Sequence, residues 1–413
     1  MSGAFPGVPP QGVFKGLTIA SFGWAIVGPL TMKLFADYGA TVIRLESAKH
    51  PCTLRISTPF KDGKPGLNRG GYFNHFSANM YSMTLNMEHP KGVEIARQLV
   101  AKCGIVMENF TPGVMEKWGL TYDEFRKVRP DVIYLRQSGF GPEGPSANMS
   151  AFGMILAAMA GLPNFIGWPG GSPLPVGVSP YTDCIAPRFA AAALIAAIDR
   201  RNKTGKGQYL DLSQLETALY FIMPALLDRS VNGREPSKTG NRHPEMCPHG
   251  VYPCQGDDRW CAIAVKTDEQ WRSLCRAFGE DALAADERYA SLPRRKLLED
   301  DIDKMIGGWT ADKTPEQVMQ LLQTAGVPAG IVENVKDVYE DPQLRQRGLF
   351  WPLEHPEMGT YTHLGRSFIL SKTPAKPMRP APLIGEHTEQ ICTGLLGMSD
   401  EEFVSLLVDG VFE

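Results

Sequence analysis

From Leu17 onward the apolar and polar positions fall into blocks that switch between two periods. LTIASFG (17–23) is a short apolar β run, Gly28 and Pro29 open a helical stretch ending near Gly39, and ATVIRLES (40–47) is a second β run. A similar unit follows. Pro90 sits at the first turn of a predicted helix that Gly104 ends, IVME (105–108) is the next strand, a short helix is predicted near Tyr122–Lys127, and DVIYLRQSGFG (131–141) is a further strand. Beyond it, an Ala-rich helix is predicted from Pro187 to Arg201, stopped by the Lys203–Gly207 turn and followed by a strand at Tyr209–Leu212. Strands alternating with helices predict an α/β fold, a parallel sheet with helices on both faces.

Between Asn232 and Asp258 the composition shifts to Pro, Gly, Asn and Cys, which predicts a connection into a second domain. That domain is predicted to open with the strand WCAIAV (260–265) and continue with the helix DEQWRSLCRAFG (268–279). Amphipathic stretches follow near Lys296–Trp309 and Pro315–Ala325, before GVPAGIV (326–332).

With 413 residues, 43% of them hydrophobic and 21% charged, the chain has apolar material for two cores. A net charge of −3 with no basic run argues against a nucleic-acid partner. The eight cysteines show no zinc spacing and read as buried thiols of a reducing compartment; the group His243, Cys247 and His249 also lacks a standard zinc pattern, so no metal is expected. Pro and Gly interrupt the N-terminus where a signal peptide needs an apolar core. The apolar stretches near Ile155–Trp168 and Phe189–Ile198 read as too short or interrupted to span a bilayer, so the expectation is a cytoplasmic protein without membrane contact.

Candidate chemistry centres on Asp183, which stands just ahead of the predicted Ala-rich helix. An acid there has backbone N–H groups and the positive end of a helix dipole close by, a setting that keeps it ionised and aims it at a substrate. The same position also suits an ordinary N-cap or turn residue. The segment SPYTDCIAPRFAAAALIAAIDRRNKTGKGQ (179–208), however, resembles the active-site segment of the family III CoA-transferases, in which an Asp precedes an Ala-rich helix. The likeness runs from Phe14 to about Leu407, through MENFTPGVMEKWGLTYDEF, RPDVIYLRQSGFGPEGP, TGNRHP, PHGVYPC and PLIGEHT in the family's order.

The resemblance implies a large Rossmann-like domain formed by both chain ends (1–231 and 341–413), a smaller α+β domain (232–340), and a ring-like subunit in an interlocked dimer, either a homodimer or a heteromer with a paralogous subunit. It implies an acyl-CoA:carboxylate CoA-transferase with no prosthetic group, moving CoA from a donor such as succinyl-CoA to a carboxylic acid through aspartyl anhydride and aspartyl-CoA thioester intermediates on Asp183. Arg44, Asn109, Phe110 and Lys117 match CoA contacts, and Gly28 and Pro29 match a loop over the pantetheine arm. Phe152 and Trp168, the latter in a Gly/Pro-rich loop, fit an aromatic or bulky acceptor such as an aryl-substituted succinate; Arg55, Arg69, Arg136, Arg188 and Arg242 are candidates to meet a second carboxylate.

Departures from the pattern are Asn79–Ser82, which lacks a basic CoA contact, Phe152-Gly153 where relatives place a Tyr or His beside an acid, and Cys184 and Arg188 after the Asp. Alternatives are a non-catalytic or partner-dependent subunit of a heteromeric transferase, an α-methylacyl-CoA racemase, and a dinucleotide-dependent oxidoreductase. The racemase needs a second base where Phe152 stands, and the oxidoreductase needs a GxGxxG that the loop Gly23–Gly28 does not contain.

Overall fold

Six parallel strands form the main sheet: β1 (Thr18–Ser21), β2 (Thr41–Glu46), β3 (Tyr81–Thr84), β4 (Ile105–Glu108), β5 (Ile133–Ser138) and β6 (Gln208–Ser213), in the order β3-β2-β1-β4-β5-β6. The computed structural model describes residues 12–177, 180–376 and 378–413. Strand side chains alternate between faces. Ile19, Val42, Ile105 and Ile133 point to one side, against Met32 and Phe35 of the Val27–Asp37 helix and Ala190 and Leu194 of the Tyr181–Thr204 helix. Their neighbours Ala20, Ile43, Val106 and Tyr134 point to the other, against Ile95 and Leu99 of the Pro90–Lys102 helix. Burial on both faces explains why these strands read as near-continuous apolar runs.

The chain end returns to this sheet. Thr84 N–H donates to Thr388 Oγ1 at 3.0 Å and Asn86 N–H to the Val411 carbonyl at 2.8 Å, while Ile391, Leu406 and Phe412 join the core beneath. The first of two compact units thus comprises residues up to Pro163, Pro175–Glu235 and Gln346–Glu413; the second comprises Asn164–Leu174 and Pro236–Arg345.

The second unit has an antiparallel sheet of β7 (His249–Pro253), β8 (Trp260–Ala264) and β9 (Ala329–Ile331). Capping boxes at Thr267 and Thr314 start the Asp268–Ala277 and Pro315–Thr324 helices, and Trp271, Ile302, Ile306, Val318 and Leu322 form the core.

Four expectations need correction. This unit opens with β7 rather than with WCAIAV, because His249–Pro253 lies in a Pro/Gly-rich stretch that reads as connection. β3 was not expected, being four residues long with two polar side chains. The Asn164–Leu174 segment clusters with the second unit. The Ala-rich helix begins at Tyr181, with Pro187 inside it, and runs 24 residues to Thr204. By length and composition it is a candidate membrane span among the described residues, contrary to the reading as too short; here its Ala186, Ala190, Leu194 and Ala197 are buried, the last three in the core against the sheet.

Candidate active site

Strand order in the main sheet reverses between β1 and β4, and a parallel sheet of this kind opens a crevice at the carboxyl ends of the strands at that point. Two loops meet there. Trp24 N–H donates to Asn109 Oδ1 at 2.6 Å, and Asn109 Nδ2 donates to the Trp24 carbonyl at 2.9 Å. This two-point clamp holds the loop in which Ala25 adopts a left-handed φ of 55°. Gly28 is required by close approach, since a Cβ would lie 2.8 Å from Gly23 Cα and 2.9 Å from Asn109 Oδ1. Gly28 and Pro29 are buried in the first turn of the Val27–Asp37 helix, just after this loop. Behind the second loop, Phe110 N–H donates to Glu108 Oε2 at 2.8 Å, and Arg136 bridges Glu108 at 2.5 Å and Glu116 at 2.6 Å.

Two cavities border these loops. One, of about 240 Å³, is lined by Arg44, Lys49, His50 and Trp118; the other, of about 370 Å³, by Asn109, Met149, Phe152, Asp183 and Gln214. Trp24 and Phe110 line both. Arg44 is no solvated strand-end charge: it is 1% exposed within β2, lies 3.3 Å from Glu46, and donates to Ser77 Oγ at 2.8 Å. Burial raises the Glu46 carboxyl, but Arg44 and Arg55 outweigh it and hold the pKa at about 2.

Asp183 is the third residue of its helix, 6% exposed, and burial pushes its pKa up to about 7. Among the described residues no hydrogen bond or ion pair reaches its carboxylate. The expectation that the helix start keeps it ionised is therefore overturned. A helix dipole offers at most about 2 kcal/mol, whereas a rise from 3.8 to about 7 corresponds to about 4 kcal/mol of lost solvation. Pro187 removes the helical N–H that would otherwise reach the Asp183 carbonyl. Gly153 lets the neighbouring backbone approach, since a Cβ there would stand 2.9 Å from Asp183 Cγ. A carboxylate that is poorly solvated and titrates near neutrality is suited to act as a nucleophile or base.

The structure thus gathers Asp183, Asn109, Phe110 and Phe152 around one cavity, with Phe152 60% exposed at its edge, and places Arg44 in the adjoining one. Lys117 is exposed at the end of the Val114–Lys117 helix and lines neither. Trp168 belongs to the second unit, 64% exposed, and packs so closely on Gly240 that a Cβ there would come within 2.7 Å of the ring. Of the candidate arginines, Arg55 is bound to Glu46, Arg69 to Asp62, Arg136 to Glu108 and Glu116, and Arg188 to the Cys184 carbonyl; Arg242, in the second unit, pairs with Asp300 and Asp303. None lines the Asp183 cavity. Sequence reasoning missed Trp24 and Gln214 as site residues, since only the strand order brings them to this cavity.

The model of the family described as CoA-transferase family III matches residues 14–388. A succinyl-CoA–D-citramalate CoA-transferase of Chloroflexus aurantiacus is 30% identical, over 96% of this chain and 97% of its own. A probable CoA-transferase of Mycobacterium tuberculosis is 31% identical over 98% of this chain, which spans about half (52%) of that relative's length. The crystal structure of a CAIB/BAIF family protein from Brucella suis shares the fold at a TM-score of 0.84 and 26% identity, covering 93% of this chain and 100% of that one. The family match over residues 14–388, a relative 30% identical over nearly its whole length and the shared architecture agree, and the chain belongs to CoA-transferase family III.

Proposed function

We propose that this protein is an acyl-CoA:carboxylate CoA-transferase in which Asp183 is the covalent nucleophile. The observation that carries this reading is the buried Asp183 carboxylate, without a hydrogen bond or ion pair among the described residues, in a cavity whose Trp24 and Phe110 walls also bound a second cavity beside Arg44, Lys49 and His50. The second cavity is lined by Glu46 and Glu88 as well as these cations, with Arg44 paired to Glu46 and Lys49 to Glu413. We place the nucleotide end of CoA there, where its phosphates would compete for Lys49 and His50, and its narrow pantetheine arm between the shared walls. Ionised Asp183 attacks the thioester carbonyl, forming a mixed anhydride and releasing CoA thiolate. The thiolate attacks the aspartyl carbonyl, giving an aspartyl-CoA thioester and freeing the donor acid. The acceptor carboxylate then reverses both steps. Each step exchanges one activated acyl bond for another, so no ATP or metal enters.

Succinyl-CoA is the proposed donor, as in the name of the Chloroflexus relative. Met149 and Phe152 offer an apolar wall to an aromatic or otherwise bulky acid; the second carboxylate of an aryl-substituted succinate would need a cation from beyond the lining of this cavity. CoA-thioester chemistry and eight cysteines with no disulfide among the described residues suit a cytoplasmic location. Exposed Tyr220, Phe221, Leu226, Leu227 and Val231 suit burial by a partner subunit, a second copy or a paralogue, as the interlocked dimer requires. The test is isotope exchange between succinyl-CoA and labelled succinate. Asp183→Ala is expected to lower it by about a thousandfold or more, and near-wild-type exchange in that variant would sink the reading.

A further inference from the structure

The cavity that holds Asp183 contains a polar group that the transfer steps leave idle. Gln214 follows β6 directly, is 6% exposed, and lines this cavity. Its side-chain oxygen is buried with no hydrogen-bond partner among the described residues. Its backbone position is fixed, because Leu215 N–H donates to the Gly139 carbonyl at 3.0 Å and Ser213 Oγ to the same oxygen at 3.4 Å. A buried amide left incomplete is costly to the free protein, and a ligand that completes it recovers that cost.

The lining indicates what completes it. Among the described residues around this cavity Asp183 is the charged one; the rest are neutral polar groups such as Ser138, Ser150 and Thr111, and apolar side chains. An ionised carboxylate and a ketone only accept, so neither can complete the Gln214 oxygen. A hydroxyl both donates and accepts, so it satisfies the amide in either orientation. We propose that Gln214 is a specificity-determining residue whose amide hydrogen-bonds a hydroxyl on the acyl group carried through Asp183, so that hydroxy acids are favoured over their deoxy analogues. The inference rests on the CoA-transferase reading and narrows its substrate class.

The test uses the full chain with succinyl-CoA as donor and two matched acceptor pairs, 2-hydroxyglutarate against glutarate and mandelate against phenylacetate. In at least one pair the wild type is expected to prefer the hydroxy acid in kcat/KM by about tenfold or more. Gln214→Leu and the more nearly isosteric Gln214→Met are expected to erase most of that ratio through the KM of the hydroxy acid, with Gln214→Asn retaining part of it. A wild type without the preference, or a ratio unchanged in both the Leu and Met variants, overturns the inference. Succinyl-CoA–succinate exchange by the wild type separates the two levels. Exchange with an unchanged ratio removes only the role of Gln214, whereas absence of exchange removes the transferase reading and that role with it.

Discussion

At Asp183 two effects oppose each other, and burial defeats the helix dipole. Its pKa is raised in the folded chain from 3.8 to about 7, so between those values the native state holds a proton that the unfolded chain has lost. Stability therefore falls as pH rises across this window, by about 4 kcal/mol if the whole shift is expressed. Asp183→Asn removes the titration. Urea denaturation is expected to find variant and wild type alike near pH 4 and the variant more stable at pH 8; a difference independent of pH contradicts the burial account. The proposed mechanism uses the ionised form, so on that reading kcat/KM for the donor should rise with pH up to about 7. Gly153→Ala places a methyl 2.9 Å from Asp183 Cγ and 2.6 Å from Pro180 Cβ, and is expected to lower transfer about a hundredfold. A Gly153→Ala enzyme with full kcat would show that the close approach is dispensable.

At the scale of elements, the site depends on loops held at strand ends. Asn109→Ala removes both hydrogen bonds to Trp24 and releases the strained turn at Ala25. The expected result is a rise of about tenfold in KM for succinyl-CoA with a changed Trp emission, and unaltered values for both contradict the clamp. Arg136→Ala leaves Glu108 buried and unpaired, with an expected loss of about 3–5 kcal/mol in urea unfolding. Much of the frame was legible in sequence. β1, β2, β4 and β5 are apolar on both faces, and Pro90 marks its helix start because a first-turn proline loses no hydrogen bond. The same rule misplaced the start of the Tyr181–Thr204 helix, where Pro187 lies inside and the boundary is set by packing. At the candidate site, Asp183 was singled out by the family resemblance of its flanking segment, not by its local position alone. Trp24 and Gln214 were not, because strand order brings residues 24, 109, 183 and 214 together, and no local periodicity encodes that order.

At the scale of the whole molecule, the question is what covers the apolar side chains of the Met223–Asn232 helix. Leu227 and Val231 are 64% and 69% exposed at helical spacing, more apolar surface than one short helix ordinarily leaves to water. Sedimentation is expected to show the wild type as at least two chains, and Leu227→Lys with Val231→Lys to shift it toward one; a monomeric wild type contradicts a partner on this face. The central claim, that Asp183 carries the transferred group, is tested most directly by intact-protein mass spectrometry after incubation with succinyl-CoA and hydroxylamine, followed by peptide mapping. Hydroxylamine displaces CoA from an aspartyl thioester and leaves a hydroxamate. The account predicts that hydroxamate on Asp183 alone; a chain that binds CoA but remains unmodified, or is modified elsewhere, contradicts it.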